Sequence, residues 1–180
     1  MKNCKSFIKY VWACVFAFST PALAQNKPNV VYILCDDLGY GDISALNKAS
    51  KLITPNVDKL AAEGMVFTDA HSSSAVCTPT RYGVLTGRYN WRTKLQSGVL
   101  GGNSLPLIKK DEPTIATFLR ANGYSTAAIG KWHLGLGWQK DDKGQIDFTL
   151  PITDGPVDHG FDYFFGISAS LDMAPYVYIE

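Results

Sequence analysis

The chain lacks a long apolar run, an excess of either charge, and more than a handful of cysteines. Each shortage weighs against a class of protein. Its most apolar amino-terminal stretch, VWACVFAF (residues 11–18), is much shorter than the ~20 apolar residues a bilayer takes, so a membrane anchor is the less favoured reading of it. Lysine and arginine number 17 against 16 aspartate and glutamate, a net charge of +1. That balance leaves no electrostatic footprint for nucleic acid or an anionic membrane surface. There are no repeats, low-complexity tracts or linkers, and a chain of this length can bury the core of one domain.

What is present begins with an export pattern. Lys2, Lys5 and Lys9 precede the short apolar run, and STPALA follows it with Pro21 and the small residues Ala22 and Ala24. This arrangement is read as a signal peptide, residues 1–24, cleaved after Ala24, and predicts a secreted or periplasmic protein. A lipoprotein attachment at Cys14 fits less well, because bulky Trp12 stands where small residues are expected. Cleavage removes three basic residues and no acidic ones, so 14 basic side chains face 16 acidic ones and the net charge becomes −2. It also removes Cys4 and Cys14. Cys35 and Cys77 remain, and in an oxidising compartment they could form one disulfide.

The remaining residues, 25–180, alternate between strand and helix signals. NVVYIL (29–34) is an apolar, β-branched run suited to a buried parallel strand. TPNVDKLAAEG (54–64) predicts a helix capped by Thr54, started by Pro55 and closed by Gly64. MVFTDAH (65–71) predicts a short strand, and a further helix is predicted from Pro79 to about Leu85. DEPTIATFLRANG repeats the pattern, with Pro113 at a helix start and Gly123 at its end, and residues 124–129 predict a third strand. The order points to an α/β fold, a largely parallel or mixed central sheet flanked by helices. Ligands in such sheets collect beyond the carboxyl ends of the strands, where three distinctive segments of this chain fall.

Asp36 and Asp37 follow the first strand. Adjacent carboxylates repel unless solvent or a cation neutralises them, and hard oxygen donors suit Ca²⁺ or Mg²⁺. Gly39 and Gly41 would let the backbone fold closely around an ion; a plain solvated acidic turn reads equally from the same residues. Cys77 and Arg81 are four apart, on one face of a helix beginning near Pro79. A helix start favours an anion, and the arginine fork suits a tetrahedral oxyanion. A nucleophile in that setting points to attack on a sulfate or phosphate ester, although a capped helix with a buried cysteine has the same spacing. In GKWHLG (130–135), Lys131 and His133 would share one side of an extended backbone. Lysine can hold an anionic oxygen and histidine can move a proton near neutral pH, yet a lone Lys-x-His is often surface decoration.

Together these segments resemble the sulfatase family. CTPTRYGVLTGR is similar to its signature, matching at Cys77, Pro79, Arg81, Leu85, Thr86, Gly87 and Arg88. NVVYILCDDLGYGD, GKWHLG and HGFDYFFG (159–166) resemble further family segments and occur in family order. The resemblance implies a fold of the alkaline phosphatase type and a sulfuric ester hydrolase. It implies that a separate maturation enzyme oxidises Cys77 to formylglycine, reading Pro79 and Arg81 and, as an auxiliary part, residues 85–88. It further implies that Cys77 becomes nucleophile and metal ligand and that Asp36 and Asp37 bind Ca²⁺, with Mg²⁺ the alternative. Arg81 and Lys131 would hold the hydrated aldehyde and the sulfate, and His133 would hydrogen-bond the diol. A Cys35–Cys77 disulfide would destroy the nucleophile, so Cys35 is expected as a buried strand residue.

The substrate implied is a sulfate ester, with sulfated glycans as candidates for an exported enzyme. The family's second pair of metal ligands and its later His and Lys have no counterpart up to Glu180. The expectation is that residues 25–180 are the amino-terminal part of the catalytic domain and are inactive alone. A phosphate or phosphonate ester hydrolase of the same superfamily, and a non-catalytic fragment of the fold, are the competing readings.

Overall fold

A computed structural model describes residues 27–180 of the 180-residue chain; the expected leader, with Cys4 and Cys14, lies outside them. The chain divides into two compact units, Met1–Leu38 and Gly39–Glu180.

In the first unit, residues 29–34 carry no strand, against expectation. Val31 is 82% exposed and Ile33 76%. A strand exists only through the ladder bonds a neighbour supplies, and among the described residues none pairs with this segment. Cys35, expected in a buried strand, is an exposed free thiol. Asp36 and Asp37 occupy a turn immediately after it.

In the second unit the predicted helices form. Helix α1, Pro55–Glu63, begins on its proline and ends at Gly64. Thr54 is its N-cap residue as predicted, but its hydroxyl makes no cap bond to the backbone and donates instead to Asp58 Oδ1 at 2.8 Å. The residues predicted as a strand at 65–71 are irregular, with Met65 and Phe67 more than two-thirds exposed. Helix α2, Cys77–Thr86, starts two residues before the predicted Pro79 and ends at Gly87, whose φ of 67° is left-handed. Pro79 lacks an amide hydrogen, but in the first turn of a helix that hydrogen has no partner within the helix. Helix α3, Ile115–Ala121, is capped by Thr114, whose hydroxyl accepts the Thr117 N–H.

The sheet is small and parallel. Strand β1, Ala127–Lys131, lies later than the predicted 124–129 and pairs with β2, Tyr163–Ile167, in the register Ala127–Tyr163 to Lys131–Ile167. At the Gly130–Gly166 pair the backbones approach so closely that a Cβ on Gly166 would lie 1.7 Å from the Gly130 carbonyl oxygen. The core gathers beside this sheet from Tyr82 of α2, Leu107, Ile108, Trp132, Leu134, Leu136 and Phe164. Complete burial of a leucine stabilises by about 2 kcal/mol, and Leu134 and Leu136 are both at 1% exposure or less. The segment following β1 is therefore anchored by its own apolar residues, which fixes the polar ones between them.

Candidate active site

Asp36 and Asp37 are both exposed, and Asp37 adopts a φ of 60°. The sequence assigns the tight backbone to Gly39 and Gly41, but Gly39 has an ordinary φ of −75° and Gly41 is not left-handed. The aspartate itself takes the left-handed conformation, which short polar side chains tolerate better than most. Two adjacent carboxylates fit a hard divalent cation by donor type. Among the described residues no group of three or more His, Cys, Asp or Glu side chains could hold a metal, so the pair does not complete a coordination shell.

The other predicted residues all belong to the second unit, and hydrogen bonds draw them together. Cys77 is the first residue of α2, partly buried, with a free thiol. One turn on, Arg81 Nη1 donates to the backbone carbonyl of Lys131 at 2.6 Å. The signature helix and the end of β1 are thereby tied by the arginine that sequence places beside the cysteine. A second tie runs through main chain. Thr78, fully buried, accepts the Leu100 N–H through its hydroxyl at 3.2 Å, and the Leu100 carbonyl lies 2.6 Å from His133 Nε2. A carbonyl can only accept, so Nε2 carries the hydrogen. In a neutral His133 ring, Nδ1 is then the basic atom.

Lys131 and His133 do not lie on one continuous extended strand as the sequence implies. Successive amides, Trp132 N–H and His133 N–H, bond to the successive carbonyls of Ile167 and Ser168, each at 3.0 Å. His133 then turns with a φ of 55°. The alternation of a strand breaks there. His133 is fully buried while Lys131 stays partly exposed, so the two are separated by environment as well as chemistry. A left-handed histidine persists only where its surroundings over-determine it.

Three participants had no signal in the sequence. Leu100 acts through its peptide group, which any residue supplies. Thr78 lies within the signature but at a position read as variable. Ser168, 2% exposed, presents its carbonyl to His133, and its buried hydroxyl has no partner among the described residues.

Behind α2 stands a polar network. Tyr82 donates to Glu112 Oε1 at 2.5 Å, and Arg88 Nη1 donates to the same oxygen at 3.2 Å. Burial, then the bond to and charge of Glu112, push the Tyr82 hydroxyl up to about 12.

A sulfatase family model matches residues 28–179. The chain belongs to the sulfatase family. It is 46% identical over 156 residues to N-acetylgalactosamine-6-O-sulfatase of Bacteroides thetaiotaomicron, covering 87% of this chain and 29% of that protein. It is 40% identical over 165 residues to arylsulfatase A of Bos taurus, covering 92% of this chain and 30% of that one. A solved sulfatase structure from work on the metabolism of multiple glycosaminoglycans by Bacteroides thetaiotaomicron superposes with a TM-score of 0.76 at 46% identity, over 86% of this chain and 31% of that chain. The α/β fold is thus the sulfatase fold, and the chain spans about 30% of the length of these relatives.

Proposed function

We propose that this chain carries part of the active site of an exported sulfuric ester hydrolase acting on a sulfated glycan. The observation that supports it most is the pair of ties joining α2 to the end of β1: Arg81 to Lys131, and Thr78 through Leu100 to His133. A nucleophile precursor, two cations and a proton acceptor are gathered by bonds that a merely capped helix would not need.

A formylglycine made from Cys77 supplies, on hydration, an oxygen nucleophile with a second hydroxyl, which lets sulfate leave afterwards; a thiol or a serine lacks that second hydroxyl. Around that position the chain's own residues divide the work. The first N–H groups of α2 and its positive end favour an anion. Arg81, tied by one Nη to the Lys131 carbonyl, brings a permanently charged guanidinium whose fork suits an oxyanion. Lys131 balances the charge of the sulfate. His133, with Nε2–H held by Leu100, offers Nδ1 as the atom that takes a proton. By donor type Asp36 and Asp37 are the residues that would hold Ca²⁺, an ion that would supply charge stabilisation to an ester when bound. Glycan sulfate as the substrate class rests on the names of the relatives and on export. Amino-terminal sequencing of secreted protein should begin at Gln25.

The test uses the protein at its natural length, produced with a maturation enzyme. It should release sulfate from an aryl sulfate and from a sulfated N-acetylgalactosamine glycan, and Cys77→Ala should abolish both. Faster turnover of aryl phosphate or phosphonate than of aryl sulfate would assign it to the neighbouring ester hydrolases. No turnover of any of these by protein carrying a converted Cys77 would leave a non-catalytic member of the fold.

A further inference from the structure

We propose that Asp154 and His159 are the positioning pair for the turn that carries His133, a role resting on the assignment of Lys131 and His133 above. Neither is needed by the chemistry already described. The His159 side chain is 2% exposed and its Nε2 lies 2.9 Å from Asp154 Oδ1; since a carboxylate accepts, Nε2 donates. The imidazole stacks on the indole of Trp132, with ring centroids 6.3 Å apart and planes at 17°. Phe161 and Phe164 close on the same indole edge-on. Trp132 stands between Lys131 and His133, and its Nε1 donates to the Gly135 carbonyl at 2.9 Å, across His133.

The same aspartate also holds the far end of the turn. Its backbone carbonyl accepts the Gly137 N–H at 2.7 Å, and Thr153 N–H returns to the Gly137 carbonyl at 3.0 Å. Residues 132–137 are thus gripped at one end by a ring stacked on Trp132 and at the other by main-chain bonds, and Asp154 takes part in both. Thr114 Oγ1 donates to the His159 carbonyl at 2.6 Å and ties the grip to the cap of α3. Inside it sits His133 at a φ of 55°, a conformation that needs such enforcement. His159 is buried while the Asp154 side chain is 30% exposed, and a polar pair open to water on one side adds little net stability. Fixing a geometry is the better account of this one.

The experiment uses active protein at its natural length, with Asp154→Ala, Asp154→Asn, His159→Ala and His159→Phe. Turnover of an aryl sulfate is measured beside the ¹H–¹⁵N resonance of the His133 Nε2–H group. Small misplacements of catalytic groups cost up to about a hundredfold in rate. Both alanine variants should therefore lose about ten- to a hundredfold in kcat with KM little changed, and the His133 resonance should move. Asp154→Asn keeps an oxygen to accept from His159 and should restore most of the rate and the resonance. Folded alanine variants with wild-type kcat, or a loss confined to KM, would overturn the inference, as would Asp154→Asn being as impaired as Asp154→Ala. If the alanine variants fail to fold, His159→Phe keeps the ring and loses the hydrogen bond; an unchanged kcat there counts against the proposal and a reduced one supports it. Wild-type protein inactive on every sulfate ester would instead overturn the functional assignment, and the His133 resonance would still decide the positioning role.

Discussion

Removing the Glu112 carboxylate should loosen α2 more than removing either of the side chains that bond to it, Tyr82 or Arg88. Its side chain is 5% exposed and accepts three hydrogen bonds: from Tyr82 at 2.5 Å, from Arg88 at 3.2 Å and from the Lys109 N–H at 3.3 Å. In Glu112→Ala the buried Tyr82 hydroxyl loses its acceptor, a penalty of about 1–3 kcal/mol. A small cavity adds about another 1 kcal/mol. Arg88, 52% exposed, returns to water, so its share is at most about 1 kcal/mol. The total is about 3 kcal/mol. Tyr82→Phe removes one charge-assisted bond and should cost about 2 kcal/mol; Arg88→Ala should cost about 1 kcal/mol or less. The order Glu112→Ala, Tyr82→Phe, Arg88→Ala is read from urea midpoints at unchanged slope. Conversion of Cys77 should survive in Glu112→Ala, since Glu112 lies outside the signature, and fall in Arg88→Ala. Arg88→Ala matching or exceeding Glu112→Ala in destabilisation would refute the reasoning, because the ion pair and not the buried hydroxyl would then dominate.

Three further outcomes are expected. The raised Tyr82 hydroxyl favours the protonated form in the folded state, so its stabilisation is complete below pH 10 and is lost as pH rises through about 12; pH-dependent unfolding should show this loss in the wild type and not in Tyr82→Phe. Asp36→Asn and Asp37→Asn, at exposed positions, should weaken Ca²⁺ binding by calorimetry while shifting stability by no more than about 0.5 kcal/mol; unchanged Ca²⁺ affinity would reduce the pair to a solvated turn. Lys131→Ala should lower kcat by about 10²–10³, the cost of one lost electrostatic contact to developing charge, and a change confined to KM would remove it from that role.

Much of this arrangement was legible in sequence, and the failures share a cause. Proline and glycine punctuation located α1, α2 and α3 to within about two residues, because those residues act through local backbone geometry. The apolar runs at 29–34 and 65–71 were misread as strands, because a strand depends on a partner that its own sequence does not name. No spacing rule foretold the left-handed His133. The even spacing of Lys131 and His133 assumed an extended backbone that the turn interrupts. Cys77 and Arg81 were paired by helical spacing, and their link to Lys131 follows from Arg81 reaching a peptide carbonyl. Leu100 and Ser168 act through main chain at the His133 turn, where sequence carries no mark.

The central claim is that Cys77 is a precursor, held at the start of α2 to become an oxygen nucleophile. The mass of the proteolytic peptide carrying Cys77, taken from protein active on a sulfate ester, tests it most directly. The peptide should be lighter than its thiol form by the difference between –CH₂SH and –CHO, and with a hydrazide reagent that captures aldehydes it should gain the reagent's mass less one water. An unmodified thiol at Cys77 in fully active protein would contradict the account.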